Sequence, residues 1–380
     1  MKRILWAILV MAISTNLPAP LFPVYQQNYG LTPLGITTLF ALYAACLLPM
    51  LLISGSITDR KGKKAVVLMG IFFACLSALC FAIAKGAAML YLARMLEGFG
   101  IGLFMGTSNA LLVENTKEHV QSALGYASMF NMFGFGFGPL LCGIIAEYSS
   151  AAPYRLPYLL LLAGLLAAIV LVFTIREGTN ETAGPLKIKI GLGVPKENRK
   201  IFWKLIAPAA FLMLALNGVV ISLIPTYVKT LFHTTNLSYS GGLLFVMLFG
   251  SGIAQLIRKP RKLETRVKWG IILLAAGTWG MISASMAANI GILFFSMAIQ
   301  ALGTGWTFQS ALRLTGEISA PENRSRIIST FYICAYSGMA FPTIGIGLLS
   351  TLWSLSAALL LFGILLTIAG AFVVIGSVKL

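Results

Sequence analysis

Apolar runs long enough to cross a bilayer recur along the whole chain, each closed by a charged cluster or by Pro and Gly. They lie near 4–24, 34–57, 65–84, 88–112, 121–147 and 156–175. After a polar connection they resume near 204–230, 237–257, 269–288, 290–313, 324–349 and 351–377. About 20 mostly apolar residues cross the hydrocarbon core as one helix. The pattern therefore predicts an all-α membrane protein of twelve transmembrane helices, six and six. The expected organisation is an N-terminal six-helix bundle over 1–176, a linker over 177–203 and a C-terminal six-helix bundle over 204–380.

The two halves echo each other. Leu21-Phe-Pro23-Val-Tyr25 returns 202 residues later as Leu223-Ile-Pro225-Thr-Tyr227. At an offset of 203, Gly100 matches Gly303, Gly102 matches Gly305, Glu114 matches Glu317 and Pro139 matches Pro342. Agreement across three pairs of spans argues for a duplicated unit and two pseudo-symmetric bundles. An even number of spans per unit gives both copies one orientation, as in parallel-repeat transporters whose substrate site lies between the halves.

Composition agrees with a lipid solvent. The chain is 58% hydrophobic and 10% charged, with mean hydropathy +0.89, whereas soluble domains carry about 25% charged residues. The net charge of +17 would suggest nucleic acid in a soluble protein, but here it follows topology. Basic residues collect at Lys2 and Arg3, at Arg60 to Lys64, from Arg176 to Lys204, from Arg258 to Lys268, and at Arg324 and Arg326. The alternate loops hold Lys85, Arg155 and Lys229. By the positive-inside rule both termini are cytoplasmic, and the expected location is a cytoplasmic membrane, taken as that of a bacterium. Lys2-Arg3, an apolar run and Pro18-Ala-Pro20 imitate a secretory signal, yet even parity needs this segment as span 1.

Several chemistries are excluded. The five cysteines, Cys46, Cys75, Cys80, Cys142 and Cys334, all fall in apolar segments without C-x-x-C or Cys/His spacing. His119 and His233 fall in or near loops without ligand partners. Neither a metal nor another cofactor is expected. Gly62-Lys63-Lys64 lacks the spacing of a phosphate-cradling loop, and neither H-E-x-x-H nor G-x-S-x-G occurs, so the chain does not read as an enzyme.

The segment Gly55-Ser-Ile-Thr-Asp59-Arg60-Lys-Gly62-Lys63-Lys64 sits between spans 2 and 3. Gly55 permits close helix contact, Gly62 a tight turn, and Asp59 offers a carboxylate to a helix N-terminus or a basic neighbour. The order G-x-x-x-D-R-x-G-K-K resembles the signature loop of the major facilitator superfamily. Arg94-x-x-Glu97-Gly98-x-Gly100 in span 4 is similar to that family's intramembrane arginine motif. Gly134-x-x-x-Gly138-Pro139-x-x-Cys142-Gly143 in span 5 resembles the motif of its drug:proton antiporters, with Cys142 replacing a glycine. In the second half, Arg258-Lys-Pro-Arg-Lys262 keeps the charge of the signature loop and lacks its acid. The resemblance implies a monomeric transporter with a small-molecule substrate, the lipid bilayer as solvent and protons as coupling ion, working by alternating access. Gly55 and Asp59 would then latch span 2 to the start of span 11 near Arg324 and Arg326.

A charge at mid-span costs about 2.5–3.5 kcal/mol on insertion scales, so Arg94 and Glu97 need a reason to be there. Their spacing lets them pair on one helix face. Two readings stand: a self-neutralised pair that fixes span 4 against its neighbours, and a carboxylate whose proton occupancy changes when Arg94 moves or substrate enters. On the second reading Glu97 is the first candidate proton carrier. Asp59, Glu114 and Glu317 read as capping or gate residues, and Glu147 lies near the outer end of span 5. Gly98, Gly102 and Gly106 form a packing stripe, as do Gly134 and Gly138; in span 5, where Pro139 permits bending, the second reading of the pair is a gate packed against the opposite half.

Polar and aromatic positions within spans are cavity candidates: Asn16, Tyr25, Tyr43, Asn109, Tyr126 and Asn131, then Asn217, Tyr227, Gln300, Trp306, Gln309, Tyr332 and Tyr336. Each is also an ordinary interhelical hydrogen-bonder or interfacial anchor. Together they suit neutral, cationic or mixed amphiphilic solutes. The expected function is proton-coupled export of small organic compounds. Uptake or facilitated diffusion of a sugar or other metabolite is the alternative, and a sensor or scaffold a more distant one.

Overall fold

The fold comes from a computed structural model that describes residues 1–116, 120–175, 192–257, 260, 262–319 and 323–376. His119, the basic run from Arg176 to Lys189, and Arg258, Lys259 and Arg261 of the second-half basic loop lie outside the described residues. Among those described, the chain is helical and without strands. Twelve helices are long and apolar enough to cross a membrane. They are α1 (Lys2–Tyr29), α2 (Pro33–Lys61), α3 (Lys63–Ile83), α4 (Ala87–Glu114), α5 (Val120–Tyr148) and α6 (Leu156–Phe173). The second set is α7 (Lys196–Leu231), α8 (Leu237–Ala254), α9 (Leu263–Met286), α10 (Ile290–Glu317), α11 (Arg324–Leu352) and α12 (Leu355–Gly376).

Three helices depart furthest from their apolar runs. α7 begins at Lys196 and α9 at Leu263, ahead of the runs expected from 204 and 269. Hydrogen bonding carries a helix past the hydrocarbon edge, so the polar turn containing Glu197, Arg199 and Lys200 ends the apolar run without ending the helix. α1 breaks instead. Pro18 and Pro20 have no N–H to give to the carbonyls four residues earlier. The α-helical hydrogen bonding stops at Asn16 and resumes at Phe22 after a 3-10 turn over Ala19–Leu21.

By spatial contact the chain forms two compact units: Met1–Leu21 with Leu42–Ile190, and Phe22–Ala41 with Gly191–Leu380. In the first, α4 lies between α2 and α3, and glycines on its two sides set the distances. A Cβ added at Gly98 would meet the Tyr43 carbonyl oxygen at 2.5 Å, and one at Gly102 the Leu47 carbonyl oxygen at 2.5 Å, both on α2. On the other side, a Cβ at Gly100 would meet the Gly70 carbonyl oxygen of α3 at 2.7 Å, and one at Gly70 the Gly100 carbonyl oxygen at 2.8 Å. The Gly98, Gly102, Gly106 stripe is thus a seat for α2.

The second unit repeats this crossing. A Cβ at Gly303 of α10 would lie 2.8 Å from the Gly270 carbonyl oxygen of α9, and one at Gly270 3.0 Å from that of Gly303. Gly305, the counterpart of Gly102, faces α8 at Ser251 and Ala254. The sequence repeat is therefore also a repeat of helix contacts. Phe22–Ala41 falls in this unit through specific bonds: Thr226 Oγ1 donates to Gln26 Oε1 at 2.7 Å, Lys229 Nζ to Gln27 Oε1 at 3.2 Å, and Leu34 N to Thr351 Oγ1 at 3.0 Å.

Side chains at Gly98, Gly100 and Gly102 of α4 have backbone to displace, whereas one at Gly106 would meet the side chain of Ser54. Gly102→Leu should lower the thermal unfolding midpoint of the purified protein, by an overpacking cost of about 1–3 kcal/mol. Gly125→Leu, with nothing within 4 Å of a Cβ, should not. Equal midpoints for both variants would show that the glycine seat does not set the packing.

Candidate functional site

The break in α1 prepares the site. A helix end leaves its last four carbonyls without helical donors, and Thr15 is one of these in the segment ending at Asn16. Arg94 Nη1 of α4 donates to the Thr15 carbonyl oxygen at 3.3 Å and to Glu97 Oε2 at 2.9 Å. The guanidinium thus lies where the helix dipole is negative as well as beside a carboxylate. Its Cζ is 5.7 Å from the Tyr43 ring centroid on α2 and 5.9 Å from that of Phe81 on α3, within the range where a cation is drawn to an aromatic face. Phe81 stacks in turn on Tyr158 of α6 at 4.9 Å.

The pair is therefore enclosed by α1, α2 and α3, with α6 behind Phe81. Arg94 is 0% exposed and Glu97 2%. Their support is unequal. Arg94 has a carboxylate, a helix end and two rings. Glu97 holds Arg94 through Oε2, while its buried Oε1 has no hydrogen-bond partner among the described residues. Arg94 thus ties α4 to α1, while among the described residues one carboxylate oxygen of Glu97 accepts no hydrogen bond.

The signature loop lies at the end of the first unit that carries Glu114. Gly62 has φ 85° between α2 and α3, a left-handed conformation natural to glycine. Lys63 Nζ pairs with Glu114 Oε2 at 2.7 Å, and Lys64 Nζ donates to the Ile175 carbonyl oxygen just beyond α6 at 2.8 Å. Thr58 and Thr107 join α2 to α4 through their hydroxyls at 2.9 Å. Arg60 and Asp59 are exposed, and a Cβ on Gly55 would meet nothing within 4 Å. In α5, Gly134 and Gly138 face Leu9 to Ile13 of α1 in their own unit. Pro139 and Gly143 are buried beside them in sequence.

The cavity candidates separate. Asn16 is buried, Asn131 half-buried, and Asn109 and Tyr126 are exposed. In the second unit Thr304 Oγ1 donates to Asn217 Oδ1 at 3.2 Å. Gln309 accepts from Arg266 Nη1 at 3.1 Å, so its amide oxygen serves a buried arginine. That arginine, 3% exposed, was hidden in sequence by its place in a basic run. Trp306 is half-buried and its Nε1 has no hydrogen-bond partner among the described residues. The amide of Gln300, wholly buried, is likewise without one. The offset of 203 that pairs Gly100 with Gly303 also pairs Glu97 with Gln300 and Arg94 with Met297. The duplicated site is thus ionic in the first unit and neutral in the second.

A model of the Major Facilitator Superfamily matches residues 4–287. The chain belongs to the major facilitator superfamily. It is 25% identical over 311 residues to the quinolone resistance protein NorA of Staphylococcus aureus, covering 77% of this chain and 78% of that protein. It is 32% identical over 167 residues to multidrug resistance protein 1 of Bacillus subtilis, 43% of this chain and 42% of that one. Among solved structures, a bacterial homolog of the human lysosomal transporter Spinster, inward-facing and unoccupied, superposes with TM-score 0.79. The identity is 15%, with 99% of this chain and 96% of that one covered. A POT family transporter in complex with 5-aminolevulinic acid gives TM-score 0.77 at 10% identity, covering 100% and 96%. These structures share the fold. As a superfamily member with twelve spanning helices and bacterial relatives, the chain is a multi-pass transporter of small molecules in the bacterial cell membrane.

The unequal support of the buried pair predicts an order of stabilities. Arg94→Ala strands Glu97 and uncaps α1, and should cost about 3–5 kcal/mol. Glu97→Gln leaves Arg94 its helix end and its rings, and should lower the unfolding midpoint less. Midpoints in the reverse order would contradict this geometry.

Proposed function

We propose that this transporter exports small organic compounds by alternating access in exchange for protons, with Glu97 as the proton carrier and Arg94 as its switchable partner. One observation carries the proposal: an enclosed carboxylate that, among the described residues, has a single cationic partner and one oxygen without a hydrogen bond. Such a group releases its proton when Arg94 is close and takes one up when Arg94 turns to its other partners. The likeness to a quinolone resistance protein and a multidrug resistance protein supports export of drug-like or metabolite compounds.

The sequence repeats 1–176 and 204–380, joined by 177–203, are the two halves of the proposed cycle in a monomeric protein with cytoplasmic termini. Gly55, Asp59, Arg60, Gly62 and Lys63 form its cytoplasmic gate. Gly134, Gly138, Pro139 and Gly143 let α5 bend along α1. Asn16, Asn109, Tyr126, Asn131, Asn217, Gln300 and Trp306 offer neutral hydrogen bonding to substrate, and Gln309 does so through an amide that also steadies Arg266. The bonds from Thr226 to Gln26, Lys229 to Gln27 and Leu34 to Thr351 are among those the cycle must break for Phe22–Ala41 to rejoin its own repeat.

Proteoliposomes with an imposed pH gradient test the coupling. A fluoroquinolone or a cationic dye should move against the direction of proton flow. Glu97→Gln should reduce that flux to the rate without a gradient while substrate counterflow persists. Flux that ignores the gradient, or runs with the protons, would replace antiport by facilitated diffusion or uptake.

A further inference from the structure

A cavity of about 550 Å³ lies in the second unit where the chain entering α7 crosses the start of α11. It is lined by Leu192 to Glu197, Arg199, Asn323 and Arg326. Its floor is built from fixed backbone. Gly193 N donates to Thr330 Oγ1 at 2.9 Å, Arg326 Nη2 to the Leu192 carbonyl oxygen at 3.1 Å, and Arg199 Nε to the Val194 carbonyl oxygen at 3.2 Å. Asn198 Nδ2 ties the same segment to the Ile318 carbonyl oxygen at 2.5 Å. Gly193 makes the turn with φ 123°, a conformation that L side chains rarely adopt.

Three cations face this space, against one lining carboxylate, Glu197. The backbone bonds occupy Nε of Arg199 and one Nη2 hydrogen of Arg326. The remaining guanidinium donors and the Lys196 ammonium have no hydrogen-bond partner among the described residues, and all three side chains are exposed. No ion pair joins any of the three to a carboxylate among the described residues. The segment they ride on is held to α11, so they converge without relying on a mobile loop. Fixed guanidinium forks beside an ammonium match phosphate oxygens.

We propose that this cavity binds a phosphate-bearing anion through Lys196, Arg199 and Arg326, so that ligand joins the entry of α7 to the start of α11. The phosphate has two possible sources. By the positive-inside rule this face meets the cytoplasmic leaflet, where lipid headgroups present phosphates; the cytosol supplies soluble ones.

The test uses the full chain in nanodiscs of phosphatidylcholine with and without phosphatidylglycerol. Native mass spectrometry counts bound phosphatidylglycerol, and calorimetry in pure phosphatidylcholine discs follows inorganic phosphate. The double variant Lys196→Gln/Arg199→Gln should weaken the bound species about thirtyfold, at roughly a unit of energy per charge. Arg313→Gln, which removes an exposed cation of α10 outside the cavity, should change nothing. Retention of phosphatidylglycerol alone identifies a headgroup site, and binding of phosphate alone a soluble ligand; either supports the proposal. It is overturned if wild-type protein binds neither, if the double variant binds as well as wild type, or if Arg313→Gln weakens binding equally.

Discussion

A charge placed inside the hydrocarbon must be covered by protein, and covering Arg94 and Glu97 organises the first unit. The cover depends on helices approaching α4 more closely than side chains of ordinary size allow. Glycines on both its sides admit α2 and α3 to backbone contact, which brings the rings of Tyr43 and Phe81 over the guanidinium. The prolines that stop α1 then leave a carbonyl for the same guanidinium. Helix break, glycine seat and buried charge form one arrangement, in which each element removes the penalty of another.

The second unit keeps the mechanical part of this arrangement and changes the electrical part. The Gly270 and Gly303 crossing reproduces that of Gly70 and Gly100. At the positions of Arg94 and Glu97 stand Met297 and Gln300. A neutral pair needs no cation, no ring and no helix end to shelter it. Duplication thus preserved what packing demands, while the protonatable group exists in one copy.

Basic residues at the helix ends differ in what they contact. Lys63 pairs with Glu114, Lys64 donates to the Ile175 carbonyl just beyond α6, and Arg266 is buried between the Pro260 carbonyl and Gln309. A positive-inside count treats these residues alike, yet their surroundings differ: some neutralise acids, some satisfy carbonyls, and those around Gly193 gather about a cavity.

The twelve spans, the duplicated unit and the family were legible in the sequence alone. Span length is set by bilayer thickness, and hydropathy is a local sum that needs no knowledge of neighbours. The pairing of Arg94 with Glu97 was legible too, because three residues along a helix lie on one face. Tertiary structure alone decided the partners across helices: the Thr15 carbonyl for Arg94, Glu114 for Lys63, Gln309 for Arg266, and Thr226 and Lys229 for Gln26 and Gln27. It also decided that Gly134 and Gly138 meet α1. Those choices depend on which faces of distant helices meet and on where Pro18 and Pro20 interrupt a backbone, and no local pattern along the chain carries that information.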